Sequence, residues 1–266
     1  MARTRHAVVG ITAAVGTTLM GTGLLGSLLG VRAKRAGISA AVMGVAMAMY
    51  YVGFLAGIPL MNRILERTSR RRLFACSTSL MAVAALSYGL VVDPAAWLGF
   101  RFITGFGLAG CYLVVETWLN DLAHNDIRGK VIGFYVAMGA GGLAVGQLVL
   151  ALTNPSRWTS FLVAAAITAV AWTPLVFVRH GVAAQYRRAG SMTLSEVARA
   201  VPSGVVGFIM VGVTQGCMLT MASVYAARAG LDARHVGFFV GAITAGGVVL
   251  QVPVGAIADR VSRRAV

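Results

Sequence analysis

Charge is what this chain has least of. Lys, Arg, Asp and Glu together make up 12% of its 266 residues, against roughly 25% in a soluble domain. Twenty-three basic and 8 acidic residues cannot cover a water-facing surface of this size, and the mean hydropathy is +0.80. These values exclude a soluble globular domain and point to a lipid bilayer as solvent. Acid is especially scarce, which leaves a net charge of +15. In a soluble protein that balance would suggest nucleic acid. Here the basic residues form short clusters between apolar runs, so no aromatic and basic surface remains to bind a nucleic acid strand. The three cysteines, Cys76, Cys111 and Cys217, lie within apolar runs and give neither a disulfide framework nor a metal site. The chain has no Gly-x-x-x-x-Gly-Lys-Ser/Thr loop, so ATP is not its energy source. No His/Asp/Glu cluster and no nucleophile-base set falls on the apolar runs, which argues against a membrane-embedded enzyme. No cofactor is expected.

Long apolar runs, by contrast, fill the sequence. Segments free of Asp, Glu, Lys and Arg cover 7–31, 36–62, 73–92, 131–156, 158–178, 200–227 and 235–258, each at least as long as a membrane-spanning helix requires. An eighth, 97–120, is interrupted by Arg101 and Glu116. The expected fold is an all-α membrane bundle of about eight transmembrane helices. The opening "MARTRH" resembles the basic start of a signal peptide. The 25-residue run behind it is longer than the apolar part of such peptides, and no small-x-small site precedes "VRAKR", so it is read as the first span.

The basic residues also orient the chain. With the N-terminus in the cytoplasm, 16 Lys and Arg fall in cytoplasmic segments, including Arg63, Arg67 and Arg70 to Arg72, against 6 outside. The positive-inside rule then places both termini in the cytoplasm. The longest loop, 179–200, is cytoplasmic in this reading. Its "TLSEVARA" has Thr193 and Glu196 at capping-box spacing, which predicts a short surface helix before Pro202.

Shifted by 193 residues, the chain matches itself: "RAGISAAVMG" (35–44) falls on "RAGLDARHVG" (228–237), and "ERTSRR" (66–71) on "DRVSRR" (259–264). A parallel repeat in a helical membrane protein indicates two similar half-bundles. Three units are expected: a six-helix half over 1–178, a linker over 179–201, and the first two helices of a second half over 202–266. Doubling the offset predicts a second copy of equal length, extending to about residue 386.

At this point the chain resembles the major facilitator superfamily, which is built as six helices, a cytoplasmic linker and six more. The family's Gly-x-x-x-Asp-Arg-x-Gly-Arg-Arg loop is matched by Gly255, Asp259, Arg260, Arg263 and Arg264, with Ser262 in place of Gly. The first copy is looser, with Asn62, Glu66 and Ser69 at the Gly, Asp and Gly positions. "RFITGFGLAG" from Arg101 resembles the family's helix 4 arginine motif. "VVETWLND" resembles a bacterial subgroup carrying Glu-Ser/Thr-Trp-Leu-Asn near the end of that helix. The resemblance implies a multi-pass protein of the plasma (cell inner) membrane that moves a small solute by alternating access, coupled to a proton or another ion. An inert fragment or a non-transporting membrane interaction protein is the rival reading.

Several residues are candidates for that work. On a helical projection Arg101, Gly105, Ala109, Tyr112, Glu116 and Asn120 share one stripe. An ionisable group on a spanning helix faces a bundle interior or a water-filled cavity, so Glu116 is the candidate proton carrier. The bland alternative is an ion pair between Glu116 and loop arginines, and for Arg101 it is snorkelling to the outer interface. Gln147 needs a polar partner and is a candidate for the cavity. The loop residues Glu66, Arg67, Arg70, Asp259, Arg260 and Arg263 anchor the chain at the cytoplasmic face, and the family motif implies a gating role for the acidic ones. "GFGLAG" (105–110) has dinucleotide-fingerprint spacing but lies within an apolar helix, where close helix packing explains it. Drug/proton antiporters of the family usually carry a Gly-Pro pair on helix 5. No proline occurs between 131 and 152, which counts against drug efflux.

The orientation is directly testable: a cysteine introduced within 179–200 should react with impermeant maleimide only from the cytoplasmic side, and one within 32–36 only from outside. The opposite labelling pattern would reverse the topology.

Overall fold

In hydrocarbon a backbone must satisfy its own hydrogen bonds, and α-helices do so within one segment. The computed structural model describes residues 2–123, 127–153, 157–178, 196 and 199–258. Among them lie eight α-helices: α1 (Ala2–Arg35), α2 (Ala40–Arg67), α3 (Arg70–Leu90), α4 (Pro94–Leu122), α5 (Arg128–Val149), α6 (Thr159–Val170), α7 (Pro202–Arg228) and α8 (Ala233–Ala258). Seven of them, α1 to α7, are long and apolar enough to cross a membrane, α5 and α6 doing so together with the 3-10 turns that follow them. The capping-box segment around Thr193 and the loop residues Asp259, Arg260 and Arg263 lie outside the described residues.

The helix ends differ from the apolar runs for local reasons. The run beginning at Ala36 does not become helical until Ala40, because Gly37 turns the chain at φ +69°. Ser39 then caps α2 by accepting from the Val42 N–H. The fourth segment is continuous despite Arg101 and Glu116. Asp93 accepts from the Ala96 N–H at 2.7 Å, and Pro94 occupies the first turn, where its missing N–H costs nothing. After α6 the chain tightens into a 3-10 turn over Thr173–Phe177 that accommodates Pro174.

Helices in lipid associate by contact rather than by hydrophobic burial, so backbones must come close. Here α2 packs on α4, α1 on α5, and α3 on both α4 and α6. A side chain at Gly105 would strike the Tyr50 carbonyl, and one at Gly53 the Phe102 carbonyl. Across the α1 and α5 seam, Gly142 and Gly146 face the Gly16 and Met20 carbonyls. The glycines of "GFGLAG" are therefore packing residues, as are the two on α5.

The 193-residue repeat recurs as geometry in the loops before α2 and α8. The Ala36, Gly37, Ile38 and Met43 N–H groups donate to the Arg32, Lys34, Ala33 and Ser39 carbonyls. The Ala229, Gly230, Leu231 and Val236 N–H groups donate to those of Tyr225, Ala227, Ala226 and Asp232. Every partner is displaced by the same offset. Gly37 and Gly230 both have positive φ, and Asp232 accepts from the His235 N–H where Ser39 accepts from that of Val42. That bond and the His235 ring hold the Asp232 carboxyl below its ordinary range.

The buried core is divided. One cluster, near the α1 to α2 loop, joins Leu28, Trp97 and Phe161 to Val224 and Val236 of α7 and α8. The other, at the opposite end, includes Ile11, Phe74, Val114, Trp118 and Leu175, and among the described residues it takes no member from α7 or α8. Among the described residues, α7 and α8 (the second segment) thus share a buried cluster with α1 to α6 (the first segment) at one end and not at the other.

The seam predicts a contrast between two substitutions. Gly105→Ala should lower stability by about 1–3 kcal/mol, because the carbonyl it would strike is backbone. Gly44→Ala, with nothing within 4 Å of the added carbon, should be neutral or stabilising by about 0.5–1 kcal/mol. Unfolding in mixed detergent micelles measures both.

Candidate functional site

Between the two core clusters lies a cavity of about 600 Å³, lined by α1, α2, α4, α5 and α7. Small residues on α1 and α5, including Gly26, Gly139 and Ala140, leave the space open. Tyr50, Tyr51, Phe54, Tyr112 and Tyr135 supply an aromatic wall. Tyr50 and Tyr51 meet edge to face at 5.3 Å, and Phe54 and Tyr112 at 5.9 Å.

Three residues singled out from the sequence line this cavity: Arg101, Tyr112 and Gln147. Arg101 is 5% exposed, so its head is enclosed by protein. Its Nη2 lies 2.8 Å from Met47 Sδ, and the guanidinium stands 5.7 Å from the Tyr50 ring centroid. Gln147 is buried and its Oε1 accepts from Thr244 Oγ1 of α8 at 2.7 Å. That bond joins α5 to the second segment.

Glu116 and Asn120 are both exposed and lie outside the cavity lining. The expected stripe on α4 therefore divides, with Arg101 and Tyr112 in the cavity and the last two turns beyond it. Glu116 has no loop arginine as partner among the described residues. Its neighbour is Tyr135, whose hydroxyl donates to Oε1 across a long 3.4 Å. The ion pair at this end belongs to the adjacent acid instead: Arg70 Nη2 and Asp121 Oδ2 are 2.6 Å apart. Arg70 also lies 6.0 Å from the Trp118 ring centroid. Arg70 is 8% exposed, whereas Glu66 and Arg67 beside it face outward. The start of α3 is thus tied to the end of α4.

At the other end α7 grips α1 and the α1 to α2 loop. Ser223 Oγ donates to the Gly26 carbonyl at 3.2 Å, and Arg228 Nη2 to the Ile38 carbonyl at 2.8 Å. Gly30 lies against Ser223, with no room for a side chain. Sequence reading did not single out these contacts, nor Ser27, Tyr50, Tyr51 and Tyr135 in the cavity. A tyrosine in an apolar run carries no sign of which way it faces. The repeat could have flagged Gly30, because the 193-residue shift sets it opposite Ser223.

Comparisons with known proteins agree with this architecture. The chain is 27% identical over 227 residues to YcaD of Escherichia fergusonii, described as an uncharacterized MFS-type transporter, covering 83% of this chain and 58% of the relative. An uncharacterized MFS-type transporter of Yersinia pestis is 26% identical over 222 residues, with the same coverage. The chain spans a little over half the length of these relatives. Among solved structures, a bacterial homolog of the human lysosomal transporter Spinster, inward-facing and unoccupied, superposes with a TM-score of 0.75 at 14% identity. The match covers 98% of this chain and 64% of that one. The nucleoside transporter NupG, as its D323A mutant, gives 0.74 at 13% identity over 96% of this chain and 68% of that one. At such identities the likeness is one of fold. The family model of the Major Facilitator Superfamily matches residues 11–266, nearly the whole chain, and the protein belongs to that superfamily.

Proposed function

We propose that this chain forms part of a secondary active transporter, which moves a small solute across the plasma (cell inner) membrane by alternating access. The observation that carries the reading is the cavity: its wall is made by α1, α2, α4 and α5 together with Gly212, Gln215 and Gly216 of α7. A site lined by both segments changes its access when one segment rocks against the other. The units are a six-helix half over 1–178, a linker over 179–201 and a second half beginning at 202.

Both termini are cytoplasmic in this reading. The loop at Gly37 is then extracytoplasmic, and the grip of Ser223 and Arg228 on α1 and Ile38 closes the outer end. The opposite core cluster takes no described member from α7 or α8, in keeping with a cavity that opens inward. Arg70 and Asp121 brace the inner end of the first half, and the Glu66 to Arg72 loop beside them gates it together with its copy at Asp259, Arg260 and Arg263.

Coupling runs through a proton or another ion, with Glu116 as the titrating group and Tyr135 as the neighbour that senses its charge. Tyr112 lies one turn from Glu116 on α4 and belongs to the cavity wall, so a charge change at Glu116 lies one helical turn from the solute. Asn120, one turn further on, continues the path toward the inner end.

Reconstituted into liposomes and screened against a broad solute panel, the whole transporter that contains this chain should take up at least one solute uphill under an imposed proton gradient. Glu116→Gln should abolish that uptake while leaving solute exchange largely intact, because only the proton-carrying step is lost. Unchanged uphill uptake would remove Glu116 from the coupling step, and equal loss of both modes would make it a gating residue.

A further inference from the structure

Among the described residues, the lining of the cavity holds one formal charge, Arg101, and no carboxylate. The guanidinium is buried, its Nε has no hydrogen-bond partner, and its one hydrogen bond, through Nη2, goes to a thioether sulfur, a weak acceptor. The face of Tyr50 offers a π-system but no anion. A second polar group in the same wall is also orphaned: Ser27 Oγ is buried and has no hydrogen-bond partner. Buried polar groups are normally satisfied, and a buried cation normally has an anion beside it. Orphaned buried atoms also occur away from the cavity, but these two line it, where an entering ligand can reach them.

We infer that the cavity binds an organic monoanion, a carboxylate on a flat apolar body, with the carboxylate on Arg101 and Ser27 and the body against Tyr50, Tyr51, Phe54 and Tyr112. The guanidinium fork matches a carboxylate in two parallel hydrogen bonds, and a serine hydroxyl adds a third donor. One cation and no second basic group in the lining match one negative charge; a dianion would bring a charge left unpaired. The aromatic wall, with Leu19, Leu108 and Leu143, suits an apolar body rather than a second charged group. A cavity of about 600 Å³ accommodates a small-molecule ligand. The inference rests on reading this cavity as the solute site, and it adds the class of solute.

Binding to the full 266-residue chain in detergent tests it, read as the saturating shift in thermal unfolding midpoint caused by added probe. The probes are benzoate and phenylacetate, each paired with its neutral amide, and benzylammonium as a cation of similar shape. The acids should stabilise the chain, and the amides and the cation should not. Arg101→Met should weaken half-saturation by about tenfold or more, the scale of a lost charge-assisted hydrogen bond. Arg101→Lys should retain part of the response, because the point charge remains without the fork. Ser27→Ala should weaken binding of acids while keeping the acid-over-amide preference, and it leaves Arg101 in place should the methionine variant not fold. Equal responses to acid and amide, or an Arg101→Met protein that still prefers acids, would overturn the inference. Uptake into liposomes separates this result from the transporter reading. Acid binding without uptake by the whole transporter upholds the monoanion site and defeats the transporter reading, whereas uptake with no preference for acids does the reverse.

Discussion

Backbone proximity is the constraint on which this bundle depends. In a bilayer the tails are as apolar as leucine, so two helices gain stability only where they fit more closely than lipid can. The α2 to α4 and α1 to α5 seams achieve this by placing glycine against a main-chain carbonyl of the neighbour. Once those two pairs are fixed, the side chains between them have settled directions. The space bounded by the glycine-rich stretch of α1, the tyrosines of α2 and the small residues of α5 is what the packing leaves unfilled. A larger residue at Gly105 would do more than strain one contact, since α4 also carries Arg101 and Tyr112 into the cavity.

The bundle was legible in the sequence because the bilayer leaves few alternatives. Apolar runs of sufficient length become helices, and the eight runs correspond to the eight helices described. Their ends were less legible, because capping depends on single residues: Gly37, Ser39 and Asp93 set starts that hydropathy alone put elsewhere. The repeat was the strongest internal signal, and it reached down to individual hydrogen bonds in the paired loops. A match of letters at a fixed offset has a physical content here, since a glycine at positive φ followed two residues later by a capping side chain specifies one turn.

The site was legible in part. Arg101, Tyr112 and Gln147 stood out as polar groups on helices that have little reason to carry them, and all three line the cavity. Glu116 and Asn120 met the same criterion but lie outside the lining. A projection fixes an angle around the helix, not the depth at which the neighbouring helix begins to cover it. Ser27 and the tyrosines of α2 and α5 were missed for the converse reason. Their importance comes from what is missing around them, or from the helices opposite, and neither is written at their own positions. The Arg70 to Asp121 pair illustrates the same limit, with partners 51 positions apart and no shared motif.

The contact between Gly30 and Ser223 has a consequence for how such a chain can change. Each is the other's counterpart under the repeat, so they stand where a two-fold axis between the halves would run. In a symmetric pair of identical halves, a residue on that axis faces its own copy. Any substitution there is made twice, a bulky one clashes with itself, and a donor meets a second donor with no vacant acceptor assured. Fusion of the halves into one polypeptide removes that restriction. One copy stays a glycine and yields the space, while the other becomes a serine and bonds across to the Gly26 carbonyl. If the repeat records a tandem duplication, this asymmetry lies at the joint between its two products, where a homodimer encoded by a single half could not have acquired it.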